Sequence, residues 1–409
     1  MQDISSNTQH CMLESKAFRD APVVLILSTA EDISGGEIFL LSLVEKMQGW
    51  TPVVATPNAE LACRCRSVGV QAVRVRGLRS LRRGHLLIAA WRLCFCQSAG
   101  LLSLLWLAIR LRADAIMAAS FSAAHFAFAL SRLLNRPALW SHQHPVLKPG
   151  DINSRIASWL LAKGGMSVVA CSEAVARSLG SSGIRNANVT VVTNNVDVSH
   201  FQRSLPYSCV RRPVAVGLVA MITPWKGQHL LIEAVRLLRN RGLTEQSFIC
   251  HIIGGIHEMR QSDKLYHDAL LQRLIELGLG DQVKFRGKQR NMKAVYENLD
   301  VVVSCSIEPE PFGIGIVEAM SMECIVVVPN EGGPAEIVCD ARDGFLFTPR
   351  SANDLANKLQ HVVQNIMALD SMRRAARTSV VDRFSSATMA VAYETFFSQL
   401  LSRRGRQRA

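Results

Sequence analysis

The chain has 409 residues, enough for two or three domains, and 49% of them are hydrophobic, which supports ordinary globular cores. Its eleven cysteines lack the spacing of a zinc site or a disulfide framework, so we expect buried thiols in a reducing cytosol. The net charge of +13 at pH 7 is unevenly distributed and favours anionic partners: lipid headgroups, nucleic acid or a polyanionic substrate.

Short runs of β-branched residues alternate with longer helical patterns through the first half of the chain. Residues 1–20, polar and of mixed charge, are expected to form a flexible tail without a signal peptide. The predicted strands are Val23–Ser28, Thr51–Ala55, Gln71–Val75, Asp114–Ala119, Ala138–Ser141, Ser167–Cys171 and Val189–Val192. The predicted helices are Glu37–Met47, Ala123–Leu134 and Glu173–Leu179. This alternation indicates an α/β fold with doubly wound parallel sheets.

Residues 64–112 form an arginine-rich region, since ten arginines and no acidic residue lie between Glu60 and Asp114. Its most apolar part, Leu93–Ile109, is shorter than the roughly 20 residues that a spanning helix needs. Helices that pack on the first sheet would explain the high apolar content of this region. We favour the alternative that arginine and tryptophan side chains dock this region into the headgroup layer of an anionic membrane. The region has aliphatic rather than stacking residues, so we expect no nucleic-acid partner.

Two features of the first half suggest ligand contacts. The Gly35-Gly36 pair precedes a helix, where backbone amides can face a phosphate, although most such pairs are plain loops. His142 and His144 follow a predicted strand, at the sheet edge where α/β proteins bind ligands. An equally good explanation is that both histidines lie in a loop and have no functional role. No third ligand has suitable spacing, so we expect no metal.

The second half repeats the alternation after a polar stretch that ends near Arg212. Its predicted strands are Val214–Val219, Phe248–Ile253, Val283–Phe285, Val301–Cys305 and Ile325–Val328. Its predicted helices are His229–Asn240, Lys264–Gly278, Met292–Asn298, Ile316–Glu323, Ala352–Asn365, Ser371–Arg383 and Ser386–Arg403. We therefore predict an N-terminal domain at 21–197, a linker at 198–212, a C-terminal domain at 213–385, and a final helix with a basic tail at 386–409.

The most informative stretch is 300–338, which has two apolar strands around a loop and a helix. Pro309 and Pro311 prevent regular structure in the loop, and Gly313 begins a segment of helix-forming residues. A glycine turn that enters a helix exposes amide groups and the positive end of the helix dipole, which suits a phosphate. Glu310 precedes this turn, and Glu318 follows Glu310 with seven residues between them.

This stretch resembles the E-x7-E segment of the retaining glycosyltransferases of family 4. The sequence Trp225-Lys226-Gly227, upstream of it, is similar to the family's phosphate-binding lysine motif. The resemblance implies the GT-B architecture, with two Rossmann-like domains that face each other across a cleft and a last helix that returns to the first domain. It also implies a nucleotide-sugar donor and no cofactor.

The family's roles can be carried onto this sequence residue by residue. Lys226 would hold the donor diphosphate, Glu310 would contact the donor sugar, and Glu318 would bind the ribose hydroxyls. His142 resembles the histidine that contacts the sugar, and His144 is the reserve candidate. The other donor-binding residues implied are Phe312, Gly313 and Ile314 through their amides, Gly36 with Gly35 beside it, and Lys288 and Gln289 near the nucleobase.

The sequence departs from the family pattern at two places. Met221 stands where the family usually has a second phosphate-binding arginine. Asn195 replaces a glycine in the family's Asn-Gly-Val-Asp motif, which is tolerable because asparagine accepts a left-handed backbone.

The resulting hypothesis is a retaining, metal-independent hexosyltransferase that acts on a lipid-linked or growing saccharide, as in bacterial polysaccharide or glycolipid synthesis. We expect it in the cytoplasm, at the inner face of the cell membrane. The alternatives are a catalytically degenerate binding protein, which Met221 favours, and a sugar-nucleotide epimerase or hydrolase.

Overall fold

The computed structural model describes residues 21–31, 33, 35–78, 97–142, 166–181, 189–204, 207, 213–257 and 260–406. Contacts divide these residues into two compact units. The first unit consists of the residues described within 1–143, 156–169 and 390–409, and the second consists of those within 170–389. The domain and linker bounds given above stay predictions.

The first sheet has seven strands in the order β3-β2-β1-β4-β5-β6-β7. They are β1 Val23–Leu27, β2 Thr51–Thr56, β3 Gln71–Arg74, β4 Ala115–Ala118, β5 Ala138–His142, β6 Ser167–Ala170 and β7 Val189–Val191. The accompanying helices are α1 Gly35–Lys46, α2 Ala59–Ser67, α3 Gln97–Arg110, α4 Phe121–Leu134 and α5 Glu173–Ser181. The strands from β3 to β5 pair in parallel.

The second sheet has six parallel strands in the order β10-β9-β8-β11-β12-β13. They are β8 Val214–Val219, β9 Phe248–Ile253, β10 Val283–Gly287, β11 Val301–Val303, β12 Ile325–Pro329 and β13 Phe345–Phe347. The helices are α6 Gln228–Asn240, α7 Gln261–Leu277, α8 Met292–Glu297, α9 Ile314–Ser321, α10 Pro334–Ile337, α11 Ala352–Asn365, α12 Asp370–Arg383 and α13 Ser386–Arg406. Two 3-10 turns are Pro224–Lys226 and Ile366–Leu369.

These sheets confirm the predicted α/β fold class with two doubly wound parallel sheets. The central strands are apolar along their whole length because helices cover both faces of such sheets. All residues of β4 and β12 are buried, for example. In the part of the chain that the structure describes, no helix is both long and apolar enough to span a bilayer.

From Ala390 onward, α13 belongs to the first unit, which confirms the predicted return of the last helix. The Phe397 ring lies 5.0 Å from that of Trp50. Oε1 of Glu394 accepts hydrogen bonds from the backbone amides of Gln48 and Gly49, with N–O distances of 2.5 and 2.8 Å. Aromatic packing and the hydrogen bonds of the partly exposed Glu394 carboxylate therefore fix this helix against the residues that precede β2.

Several details differ from the sequence-based expectations. Helix α2 was not predicted, because only a narrow stripe of its side chains is buried. Gly35 and Gly36 do not precede the first helix but form its first turn. Asn195 does not have a left-handed backbone; its buried side-chain amide donates to Ser386 Oγ at 2.6 Å, so a side-chain contact explains this residue.

Candidate functional site

The residues that lead from β8 into α6 present Lys226 at the carboxyl edge of the second sheet. Pro224 starts a 3-10 turn that ends at Lys226, and Gly227 follows with φ of +68°. A Cβ atom on Gly227 would lie 2.0 Å from the carbonyl oxygen of Cys305. Only glycine therefore allows the chain to turn here against the loop after β11.

Lys226 and Glu310 form the ion pair at the centre of the candidate site. Lys226 Nζ lies 2.6 Å from Glu310 Oε1, and both side chains are largely buried. The Lys226 ammonium also lies 4.1 Å from the centroid of the Trp225 ring. Ser306 Oγ donates to the other Glu310 oxygen at 3.0 Å. The cation and the carboxylate are thus both held in place before any ligand binds.

The loop that carries Glu310 is supported from behind by Gly332 and Gly333. The Gly333 amide donates to the Glu310 carbonyl at 2.8 Å. A Cβ atom on Gly333 would lie 2.4 Å from backbone atoms of Phe312, and one on Gly332 would lie 2.6 Å from the Glu310 carbonyl oxygen. The glycine pair after β12 is therefore needed because the two backbones approach closely.

Helix α9 begins directly after this loop and points its amino end at the site. Gly313 has φ of +116°, a conformation that favours glycine, and α9 starts at Ile314. The amide groups of Phe312, Gly313 and Ile314 have no backbone acceptor among the described residues. Phe312 itself is buried, with its ring 5.6 Å from that of Phe384. These amides and the helix dipole suit a phosphate or another anion.

Glu318 lies one turn further along α9 and pairs with Tyr296 of α8. The fully buried Tyr296 donates its hydroxyl proton to Glu318 Oε2 at 2.9 Å. Burial raises the pKa of Glu318 to about 7, although the hydrogen bond from Tyr296 opposes this shift. Glu318 can therefore change its protonation state near neutral pH.

A small pocket connects several of these groups. Its lining comprises Leu218, Val219, Ala220, Lys226, Val302, Val303, Ser304, Cys305, Ser306, Glu310, Gly313, Gly315 and Ile316. The backbone ends of β8 and β11 form its floor, as expected where adjacent parallel strands end. The structure thus brings Lys226, Glu310 and Gly313 together around one cavity.

Lys288 and Gln289 lie beyond the end of β10 and are exposed. The Lys288 side chain adjoins the loop after β9, since a Cβ atom on Gly255 would lie 3.2 Å from Lys288 Cβ. Gln289 Nε2 donates to the carbonyl of Arg286 at 2.7 Å. Met221 is about half exposed at the same edge of the sheet, and its carbonyl accepts a hydrogen bond from Gln228 Nε2.

The remaining predicted residues lie in the first half of the chain. Gly35 and Gly36 are in the first turn of α1, and the His142 backbone ends β5. The His142 side chain and all of His144 lie outside the described residues. Among the residues that are described, no group of three or more His, Cys, Asp or Glu side chains could hold a metal ion.

Sequence reasoning missed two residues that shape this site. Ser306 orients Glu310, and Tyr296 orients Glu318. Trp225, which the sequence motif contains, lies beside the Lys226 ammonium, a contact that the motif did not predict. Chemically, the arrangement offers one cation, a set of backbone amides and two carboxyl groups, which can bind an anion and a polyhydroxylated group next to it.

Two family matches cover most of the chain. Residues 34–195 match the family described as "Glycosyl transferase 4-like domain", and residues 212–379 match the family described as "Glycosyl transferases group 1". The second match contains Lys226, Glu310 and Glu318.

Known proteins of similar sequence include two enzymes of named activity. One is the poly(ribitol-phosphate) alpha-N-acetylglucosaminyltransferase of Staphylococcus aureus, 24% identical over 184 residues, which are 45% of this chain and 35% of that protein. Another is the glycogen synthase of Mycobacterium tuberculosis, 26% identical over 296 residues, which are 69% of this chain and 67% of that protein. The matched segments span about a third of the first relative and two thirds of the second.

Solved structures of similar fold include Anabaena HepE in complex with UDP and glucose. Its TM-score is 0.76, with 22% sequence identity, and the alignment covers 92% of this chain and 99% of that one. At 22% sequence identity, this structural similarity shows that the two chains share a fold.

Proposed function

The chain belongs to the glycosyltransferases of the family 4 type and has their GT-B architecture, and we propose that it transfers a hexose-type sugar from a nucleotide-diphosphate donor. In this proposal the acceptor is a growing saccharide or a lipid-linked sugar at the inner face of the cytoplasmic membrane. Transfer proceeds with retention of the anomeric configuration and without a metal.

The observation that carries the proposal is the position of Lys226 beside the amino end of α9. Cleavage of the anomeric C–O bond leaves negative charge on the departing diphosphate. The Lys226 ammonium and the amides of Phe312, Gly313 and Ile314 can stabilise that charge without rearrangement. One preorganised donor of this kind typically contributes about a hundredfold or more to the rate.

The two carboxyl groups have separate proposed roles. Glu310, held by Lys226 and Ser306, contacts hydroxyls of the donor sugar. Glu318, held by Tyr296, accepts hydrogen bonds from the ribose. Lys288 and Gln289 lie at the nucleobase, and Gly36 with Gly35 contributes amides from the start of α1. His142, with His144 in reserve, contacts the sugar.

The sequence of the first half provides no carboxylate in an obvious nucleophile position, so we propose a same-face mechanism. The anomeric C–O bond to the diphosphate breaks, and a new C–O bond forms to the acceptor oxygen on that face. The acceptor hydroxyl proton passes to the departing phosphate, whose charge Lys226 stabilises.

The donor and acceptor classes have support from the relatives. HepE was solved with UDP and glucose, which supports a nucleotide sugar as the donor. The two relatives named above act on poly(ribitol-phosphate) and form glycogen, which supports a saccharide chain or polymer as the acceptor. The arginine-rich region 64–112 supports contact with an anionic membrane.

The direct test is release of nucleoside diphosphate from a panel of nucleotide sugars, with and without saccharide acceptors. Release that depends on both substrates, with a glycosylated product, is expected. Product detected with the same anomeric configuration as the donor would support retention. Nucleotide release that needs no acceptor would instead indicate an epimerase or a hydrolase.

A non-catalytic binding protein is the second candidate, and Met221 is the observation that favours it. Met221 carries no charge where the family usually has an arginine. Among the described residues that line the pocket, Lys226 is therefore the only cation. Binding of a nucleotide without turnover of any donor would favour this reading.

A further inference from the structure

The carboxyl ends of α8 and α9 are joined by one arginine from the segment that precedes β8. Arg203 Nε donates to the carbonyl of Met322, the residue after α9, at 2.6 Å. Its Nη1 donates to the carbonyl of Glu297, the last residue of α8, at 3.1 Å. Its Nη2 donates to the carbonyl of Leu299, two residues further on, at 3.0 Å. One guanidinium therefore bridges the ends of two helices.

This bridge suits the chemistry of helix ends. The last carbonyls of a helix have no partner within the helix and carry partial negative charge. A guanidinium has five N–H donors in one plane, so it can bind carbonyls from two helices at once. Among the described residues, every oxygen that Arg203 contacts is a backbone carbonyl. Its donors are thus directed at the helix ends.

The Arg203 side chain is itself held in place. Its guanidinium carbon lies 5.1 Å from the centroid of the Tyr207 ring. The Tyr207 hydroxyl donates to Asp300 at 2.6 Å and accepts a hydrogen bond from Arg373 at 3.1 Å. Because this ring is fixed, the guanidinium that packs on it can hold the two helix ends at a constant distance.

Phe201, two residues before Arg203, contacts the same two helices. Its ring lies edge-on to the ring of Tyr296 in α8, with 6.1 Å between the centroids. Its carbonyl accepts a hydrogen bond from Oγ of Ser321, the last residue of α9, at 2.7 Å. All these residues belong to the second unit. The segment before β8 therefore contacts α8 and α9 at more than one point.

The bridge is directly linked to the pair formed by Tyr296 and Glu318. The Tyr296 carbonyl lies 3.5 Å from Arg203 Nη2. The amide of Met322, whose carbonyl Arg203 binds, donates to the Glu318 carbonyl at 3.0 Å. The hydrogen bond from the Tyr296 hydroxyl to Glu318 runs from one helix to the other. Its strength depends on distance and angle, and therefore on the spacing of α8 and α9.

We propose that Arg203 is a positioning residue for Glu318, because it fixes the spacing of α8 and α9 and so keeps the Glu318 carboxyl in the orientation that binds ribose. This inference rests on the proposed function, in which Glu318 accepts hydrogen bonds from the ribose of the donor. In this role Arg203 acts through Glu318 and need not touch the donor. An arginine that only stabilises the fold would leave the nucleotide affinity of the folded protein unchanged.

The test is a double-mutant cycle on nucleotide affinity, measured by calorimetry with UDP, GDP and ADP. The pH is 8, above the pKa of about 7 that burial gives Glu318. Arg203→Met should raise the dissociation constant of the diphosphate that binds by about tenfold, because the carboxylate loses its position. In the Glu318→Gln background the same substitution should change it by about twofold or less, since no carboxylate is left to position. Equal effects in both backgrounds would overturn the proposal.

Arg203→Lys separates positioning from charge. Lysine keeps the positive charge but lacks the planar fork that binds carbonyls of two helices at once. It should therefore weaken binding nearly as much as methionine does, and full affinity in Arg203→Lys would contradict the proposal. If urea unfolding shows that Arg203→Met does not fold, the same cycle with Arg203→Lys decides.

The matched control is Arg241→Met. Arg241 follows α6 and donates to side-chain oxygens of Asn353, Asn357 and Gln360 in α11, so it also joins two helices of the second unit. This variant should be less stable than the original chain but have the same dissociation constant. Equal losses of affinity in Arg241→Met and Arg203→Met would show that general destabilisation is the cause, and the proposal would be wrong.

The same titrations distinguish a failure of this inference from a failure of the proposed function. If no diphosphate binds the original chain, the donor site is wrong, and the role of Arg203 with it. If a diphosphate binds and the effects of the Arg203 and Glu318 substitutions are additive, only the role of Arg203 is wrong.

Discussion

Lys226 Nζ lies 2.6 Å from Oε1 of Glu310, although the two residues are 84 positions apart in the chain. The contact follows from the topology of the second sheet. Lys226 lies after β8 and Glu310 after β11, and these two strands are parallel neighbours. Their carboxyl ends meet at one edge, so the loops that follow them must also meet. The ion pair therefore fixes a cation in front of the amino end of α9.

Replacing Lys226 by alanine should lower the rate of sugar transfer by about a hundredfold or more, because the variant lacks the charge that stabilises the departing diphosphate. Steady-state kinetics with saturating donor would measure this. Lys264→Ala removes an exposed lysine from α7 and should leave the rate unchanged. A loss of less than threefold in Lys226→Ala would remove this residue from the mechanism.

Donor affinity should depend on pH through Glu318. Burial raises the pKa of this carboxyl to about 7, and the ionised form accepts hydrogen bonds from the ribose hydroxyls more strongly than the protonated form does. Below that pKa the carboxyl is mostly protonated, so the affinity for a nucleoside diphosphate should increase as the pH rises through about 7 and then level off. Calorimetric titrations at several pH values would show this increase.

Glu318→Gln is the control for that pH dependence, because its side chain does not titrate. The remaining pH dependence of this variant reports the phosphate groups of the ligand. If the original chain and Glu318→Gln show the same dependence, Glu318 does not bind the nucleotide in its ionised form.

Tyr296→Phe should move the pH dependence of donor binding upward. The Tyr296 hydroxyl donates to Glu318 and lowers the pKa of that carboxyl, so its loss should raise the pKa further above 7. We expect a higher KM for donor at pH 7, with kcat unchanged, and recovery of KM at higher pH. Tyr266→Phe removes a different, partly buried phenol hydroxyl, which accepts a hydrogen bond from the His229 amide, and should not shift the profile. Equal profiles in all three proteins would exclude a positioning role for Tyr296.

Gly227→Ala should destabilise the chain by about 3 kcal/mol or more. The added Cβ atom would overlap the Cys305 carbonyl oxygen at 2.0 Å, and φ of +68° is strained for alanine. Gly242→Ala is a matched control, with φ of +87° but no atom within 4 Å of the added Cβ. It should cost only about 1–2 kcal/mol. Urea unfolding of both variants would compare them; equal losses would mean that the contact with Cys305 is not limiting.

Much of this fold could be predicted from the sequence because buried parallel strands are continuous apolar runs. Val214–Val219, Phe248–Ile253 and the helix Ala352–Asn365 were predicted with the bounds that the structure has. Strand β13 was missed, since three residues after a turn give too short a pattern. The predicted ends of several helices differ from the observed ends by one to three residues. Helix α7, for example, starts at Gln261 and not at Lys264.

The site could be predicted only where its residues are close together in the sequence. Glu310, Gly313 and Glu318 form a local pattern, and so do Trp225, Lys226 and Gly227. The partnership of Tyr296 with Glu318 depends on how α8 packs beside α9, which no local pattern encodes. The roles given to His142, His144, Gly35 and Gly36 rest on family resemblance and stay predictions.

The measurement that tests the central claim most directly is thermal unfolding with a panel of nucleoside diphosphates. A ligand at about 100 times its dissociation constant should stabilise the native state by roughly 2.7 kcal/mol. We predict that one diphosphate raises the unfolding midpoint of the original chain and of Lys264→Ala, and that Lys226→Ala loses most of this rise. If no nucleotide changes the midpoint of the original chain, or if Lys226→Ala keeps the full rise, Lys226 and the amino end of α9 are not a donor site.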